Sequence, residues 1–84
     1  MDNNTMSLVD MKSGHSGRVV SITGGGARLN KLHSLGITEG MDIIKVSSQW
    51  MKGPVTIRCR GAEIALGYGI ARDVEVSVQE GGKG

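Results

Sequence analysis

His15, His33 and Cys59 are the side chains in this 84-residue sequence that could ligate a soft or borderline metal ion. A closed structural zinc site needs four Cys or His ligands, grouped at spacings such as C-x-x-C, and that grouping is absent. His33 falls in a helical stretch two residues before Leu35, His15 in a glycine-containing loop, and Cys59 in an alternating apolar run. Taken singly they read as two surface histidines and one small buried hydrophobe. No metal site within one chain is expected, although a symmetric homodimer could assemble ligands from two copies. Other chemistry is equally sparse. Gly24-Gly25-Gly26 ahead of Arg28 lacks the spacing and the lysine of a phosphate-binding loop. Gly67-x-Gly69 lacks the third glycine and the βαβ unit of a dinucleotide site. The eight serines have no histidine–acid pair near them in sequence. Neither catalysis nor a cofactor is expected, with the reservation that a triad can be assembled from distant positions.

What remains is recognition. Trp50-Met51-Lys52 lies at a predicted hairpin tip, poorly placed for the core of its own chain. Tryptophan is enriched at interface hot spots, and exposed apolar clusters mark contacts. The competing reading folds Trp50 back over one end of the fold. Arg28 and Lys31, on the predicted helix, form a second candidate partner-binding surface; ordinary solvation is the plain alternative. Arg58 and Arg60 share one strand face and could track phosphates.

The elements that would position these residues follow from composition and periodicity. One cysteine cannot form an internal disulfide, so packing alone must hold a single small domain, as suits a reducing compartment. No run of eighteen apolar residues and no secretory leader pattern is present, so a cytoplasmic protein is expected. Fourteen glycines and one proline imply many tight turns, and fifteen valines and isoleucines favour strands. A net charge of +2 is too weak to require a polyanionic partner. Residues 1–6 are expected to be disordered, 7–79 to form the domain, and 80–84 to be a flexible tail.

Within the domain, Ser7 is a helix N-cap with Asp10 at the third position, and Met6 and Met11 are placed as a staple. Residues 18–23 (RVVSIT) form a strand that Gly24-Gly25-Gly26 breaks. Residues 28–35 form a helix, with Leu29, Leu32 and Leu35 at three-residue steps and Gly36 as its stop. Residues 41–48 form a strand with Ile44 and Val46 on one face and Met41, Ile43 and Lys45 on the other. Val55, Ile57 and Cys59 alternate with Thr56, Arg58 and Arg60, the period of a half-buried strand. That strand turns back through Arg60-Gly61. Gly67-Tyr68-Gly69 reads as a tight turn in which the glycines permit close approach, and residues 73–78 as the last strand. The fold class is mainly β: a small SH3-like barrel of about five strands with one or two short helices.

Four blocks in order resemble the FeoA family, small cytosolic components of bacterial and archaeal ferrous-iron uptake. They are residues 7–14, the strand and glycine turn 20–25, Lys-Leu-His-Ser-Leu-Gly-Ile-Thr-Glu-Gly at 31–40, and 53–61 followed by 64–71. The resemblance covers roughly residues 7–78. It implies an SH3-like barrel and a supporting role in iron transport beside FeoB, a GTP-driven membrane transporter, on whose cytosolic part the chain would dock. It also sets the chain among proteins of transition-metal handling, and leaves open whether this chain binds iron itself. Related barrels end metal-dependent repressors, but this chain has no room for their winged helix. Lys31 stands where the family often has arginine, which weakens any bidentate contact. Cys59 stands where an aliphatic residue is usual.

Two further classes compete. A nucleic-acid-binding small β-barrel would use Arg58 and Arg60, yet single-strand binders stack bases on several aromatics and this chain has two. A polyproline-binding module needs an aromatic-lined groove, which a chain without phenylalanine lacks.

Overall fold

Val55, Ile57 and Cys59 are buried while Arg58 is exposed between them, as the alternation requires. The computed structural model describes residues 5–48 and 52–78. Among these, six strands form one antiparallel sheet: β1 (Thr5–Ser7), β2 (Ser16–Ile22), β3 (Asp42–Ser48), β4 (Val55–Cys59), β5 (Ala62–Leu66) and β6 (Val74–Val78). They are ordered β1-β6-β2-β3-β4-β5, which leaves β1 and β5 at the two ends. The helices are α1 (Gly26–Ser34) and the single turn α2 (Tyr68–Ala71), and a 3₁₀ turn spans Leu8–Asp10. The fold is the expected mainly β, SH3-like one, with a sixth strand.

That strand, β1, pairs Thr5 with Ser77, Met6 with Val76 and Ser7 with Glu75. Order therefore begins inside the segment expected to be disordered. A three-residue strand is too short to show a period, and its stability comes from the ladder on β6 and from Met6 against the core. The expectations for residues 1–4 and 79–84 lie outside the described residues.

Two bulges bend the central strands. The β2–β6 register slips between Val19 and Ser21, and the β3–β4 register between Lys45 and Ser47. Each inserts a residue opposite none, which kinks the strand and increases its twist. The sheet so curls around Val19, Ile43, Val55, Ile57, Leu66, Val74 and Val76, and Leu8, Met11, Leu32, Ile37 and Ala71 fill the interior from the turn, helices and loops.

The 3₁₀ turn has the expected cap: Ser7 Oγ accepts from Val9 N at 3.3 Å and donates to the Arg72 carbonyl at 2.9 Å. Helix α1 starts two residues earlier than expected, at Gly26, because Gly25 at φ 92 can serve as the N-cap without a side chain. Its end is a Schellman motif. Gly36 (φ 87) donates to the His33 carbonyl and Ile37 to that of Leu32, both at 2.9 Å. Leu32 and Ile37 are buried together, which is the apolar contact that accompanies the motif. Leu29, Leu32 and Leu35 do not share one inward face. A step of three residues falls short of a full helical turn, so Leu32 is buried, Leu29 half-buried and Leu35, already at the C-cap, exposed.

The Arg60-Gly61 connection holds both residues at positive φ (56 and 82), as a two-residue type I′ hairpin turn requires. Gly67-Tyr68-Gly69 differs from expectation. It enters α2, where the Gly67 carbonyl accepts from Ile70 and Ala71. A Cβ added at Gly67 or Gly69 would meet nothing within 4 Å. The close approaches lie instead at Gly17, whose Cβ would sit 3.0 Å from the Ser77 carbonyl, and Gly24, 2.7 Å from Asp73 Oδ2.

Candidate functional site

The inward face of β3 carries Ile43 and Lys45, so the strand buries its basic face and leaves Ile44 41% exposed. Lys45 is 2% exposed, the one buried polar side chain among the described residues. Its Nζ donates to the carbonyls of Leu8 (3.1 Å), Val9 (3.1 Å) and Met11 (2.5 Å), so all three ammonium protons have acceptors. The carbonyls of the 3₁₀ turn thus find their donor on β3 rather than in water. Burial pushes the Lys45 ammonium below its ordinary pKa, and the nearby Asp10 carboxylate offsets part of that shift. Sequence reasoning placed Lys45 opposite Ile44 and Val46 without choosing a face. The grouping of Lys45 with Ile43 was the available signal.

Of the residues expected to bind a partner, Arg28, Lys31 and Lys52 are described. Trp50 and Met51 lie outside the described residues. Lys52 is exposed at φ 64, its Nζ 5.9 Å from the centroid of the Tyr68 ring, within cation–π range. Lys31 is exposed on α1. Arg28 is engaged internally: Nη1 donates to the Gly69 carbonyl at 2.6 Å and forms an ion pair with Asp73 Oδ2. It ties α1 to α2 and the start of β6, and Gly24 leaves the room for that pair.

His15 and His33 are exposed, and Cys59 is buried with Sγ 3.7 Å from Met41 Sδ. Among the described residues no three His, Cys, Asp or Glu side chains converge as metal ligands.

A groove of about 430 Å³ runs over β2, β3 and β4, with Arg60 and Gly61 of the hairpin turn also in its lining. Ile44 stands in it between its cross-strand neighbours Ser16 and Arg58. Arg18 lies opposite Asp42, with Nε 3.0 Å from Oδ1. Arg58 pairs with Glu63 on β5, Nη2 to Oε2 at 2.6 Å. Arg18, Arg58 and Arg60 line the groove against the single carboxylate of Asp42. Only the pairing of strands distant in sequence brings Arg18 and Arg58 to one groove, on either side of β3, so no local motif announces it.

A family model described as the FeoA domain matches residues 6–78. Among solved structures, the chain is similar to an iron uptake regulatory protein (FeoA), at 36% identity and TM-score 0.80, over 89% of this chain and 97% of that one. It is similar to a FeoA-like protein from Clostridium acetobutylicum, at 24% identity and TM-score 0.80, over 93% and 90% of the two chains. A manganese-dependent transcriptional repressor is alike in fold, at 19% identity and TM-score 0.85. There the match spans 94% of this chain and 44% of the repressor. No curated protein matches the sequence. No helix among the described residues is long and apolar enough to cross a membrane.

Proposed function

Because the chain belongs to the FeoA family, which is associated with ferrous iron transport, we propose that it is a cytosolic accessory protein of iron uptake, without catalytic activity, that docks on the cytosolic part of a FeoB-type membrane GTPase and modulates its transport. The observation that carries this reading is the 36% identical relative, an iron uptake regulatory protein whose length is matched almost end to end. A module of this size has little interior to spare for chemistry. The buried lysine is satisfied by carbonyls of its own chain, and no buried side-chain nitrogen or oxygen among the described residues lacks a partner. Its distinctive groups face outward, and an outward-facing set suits recognition. Lys31 on α1 and residues 50–52 are the docking contacts of this reading, whereas Arg28 contributes chiefly by holding α1 in place.

The test is capture of the full-length transporter, in detergent, by the immobilised full chain at low and moderate salt, together with ferrous iron uptake in cells lacking the chain. Saturable capture and altered uptake are expected. Absent capture with unchanged uptake would refute the reading. Arg18, Arg58 and Arg60 in one groove also favour a second reading, binding of nucleic acid. Salt-dependent micromolar affinity for DNA or RNA would support it.

A further inference from the structure

The groove on β2, β3 and β4 combines charge and apolar surface in a way that selects among partners. Its ion pairs are open to exchange. Arg18 and Asp42 side chains are 56% and 70% exposed, and Arg58 and Glu63 are each 50% exposed, so neither pair holds its arginine strongly. Neither uses its guanidinium fully. The Arg18 contact runs through Nε and the Arg58 contact through Nη2, which leaves the other N–H groups of each fork outside the pair. Arg60 adds a third guanidinium from the hairpin turn. Between them Ile44, 41% exposed, offers an aliphatic surface.

From this we infer that the groove binds an acidic, amphipathic segment of a partner protein, carboxylates on Arg18, Arg58 and Arg60 and one aliphatic side chain on Ile44. Charge complementarity argues for this occupant: three guanidiniums stand against the lining Asp42 carboxylate and that of Glu63 beside Arg58, which leaves a net positive groove. A nucleic acid fits less well. Among the described residues no aromatic side chain lines the groove on which a base could stack, and a sugar-phosphate backbone has no aliphatic group to set on Ile44. The inference rests on the protein-interaction reading above and specifies the surface used.

The experiment uses the full ¹⁵N-labelled chain and three probes: an octapeptide alternating glutamate and leucine, its glutamine counterpart, and a single-stranded DNA of similar length. Saturable shifts of the Arg18, Ile44, Arg58 and Arg60 amides with the acidic peptide alone are expected. Affinity should fall as the ionic strength approaches about 0.15 M, where screening shortens to about 8 Å. Arg58→Gln combined with Arg60→Gln should weaken binding about tenfold, as should Ile44→Gln, and Arg72→Gln, just after α2, should not change it. Thermal unfolding of each variant separates lost binding from lost folding. Shifts elsewhere, equal binding of the glutamine peptide, or preference for DNA would overturn the inference. The same variants tested on the full-length transporter distinguish the two readings. If they bind it as the parent does, the groove assignment fails and docking stands. If the parent chain ignores the transporter yet binds the acidic peptide, docking fails and the groove stands.

Discussion

Replacing Lys45 by methionine removes the ammonium while keeping most of the side chain's length. Three carbonyls lose their donor, but that of Leu8 still accepts from the Met11 amide at 3.2 Å. Two carbonyls, Val9 and Met11, are left without the donor they had, at about 1–3 kcal/mol each. Relief from burying a charge offsets part of this, so the net loss should be about 2–4 kcal/mol. A domain of this size has roughly 4–13 kcal/mol in all, and each kcal/mol lowers its melting temperature by about 4–8 °C. The variant should therefore melt about 10–30 °C lower, with an unchanged urea m-value, by far-ultraviolet circular dichroism. The pH dependence has a definite sign. Because the folded pKa lies below the 10.5 of a free lysine, the folded chain binds fewer protons than the unfolded one between those values. Parental stability should then rise with pH across that window, and the gap to Lys45→Met should widen towards pH 10.5. A variant within about 0.5 kcal/mol of the parent, the ordinary range of a surface substitution, would refute the clamp assigned to Lys45.

Other consequences are as specific. Gly24→Ala should cost about 1–3 kcal/mol more than Gly25→Ala in urea denaturation: both hold positive φ, but only Gly24 would press a Cβ on the Asp73 carboxylate. Arg28→Ala should lose only about 1 kcal/mol, because the pair is partly solvated, yet speed amide exchange in α2, whose Gly69 carbonyl loses its partner. The Cys59 thiol, 5% exposed, should react with a disulfide reagent slowly in buffer and rapidly in urea; fast reaction in buffer would contradict its burial.

Local rules carried much of the fold. The alternation of Val55, Ile57 and Cys59, the turn at Arg60-Gly61, the Ser7 cap and the Gly36 stop are each decided by a few neighbouring residues, and each is where the sequence indicates. What depends on distant partners was hidden. Strand β1 exists because β6 is there to pair with it, and Lys45 turns inward because the carbonyls of residues 8–11 wait for a donor. The groove depends on β2 and β4 both flanking β3. Arg28 looked like a free surface cation because Asp73, its partner, is 45 residues away. The glycines at 67 and 69 misled for a related reason, since a Gly-x-Gly pair is equally at home in a one-turn helix.

The two bulges set a limit on how relatives of this chain can vary in length. Val20 and Val46 are each surplus to the ladder that crosses them, so their strands reverse inward and outward positions at that point. Deleting either residue would do more than shorten the strand, because every side chain on one side of the deletion would change faces. Losing Val46, for example, would put Lys45 and Ile43 out of phase with the remainder of β3. Insertions and deletions in homologous chains should therefore collect at the connections between elements, and positions 20 and 46 should stay occupied even where the side chain there varies.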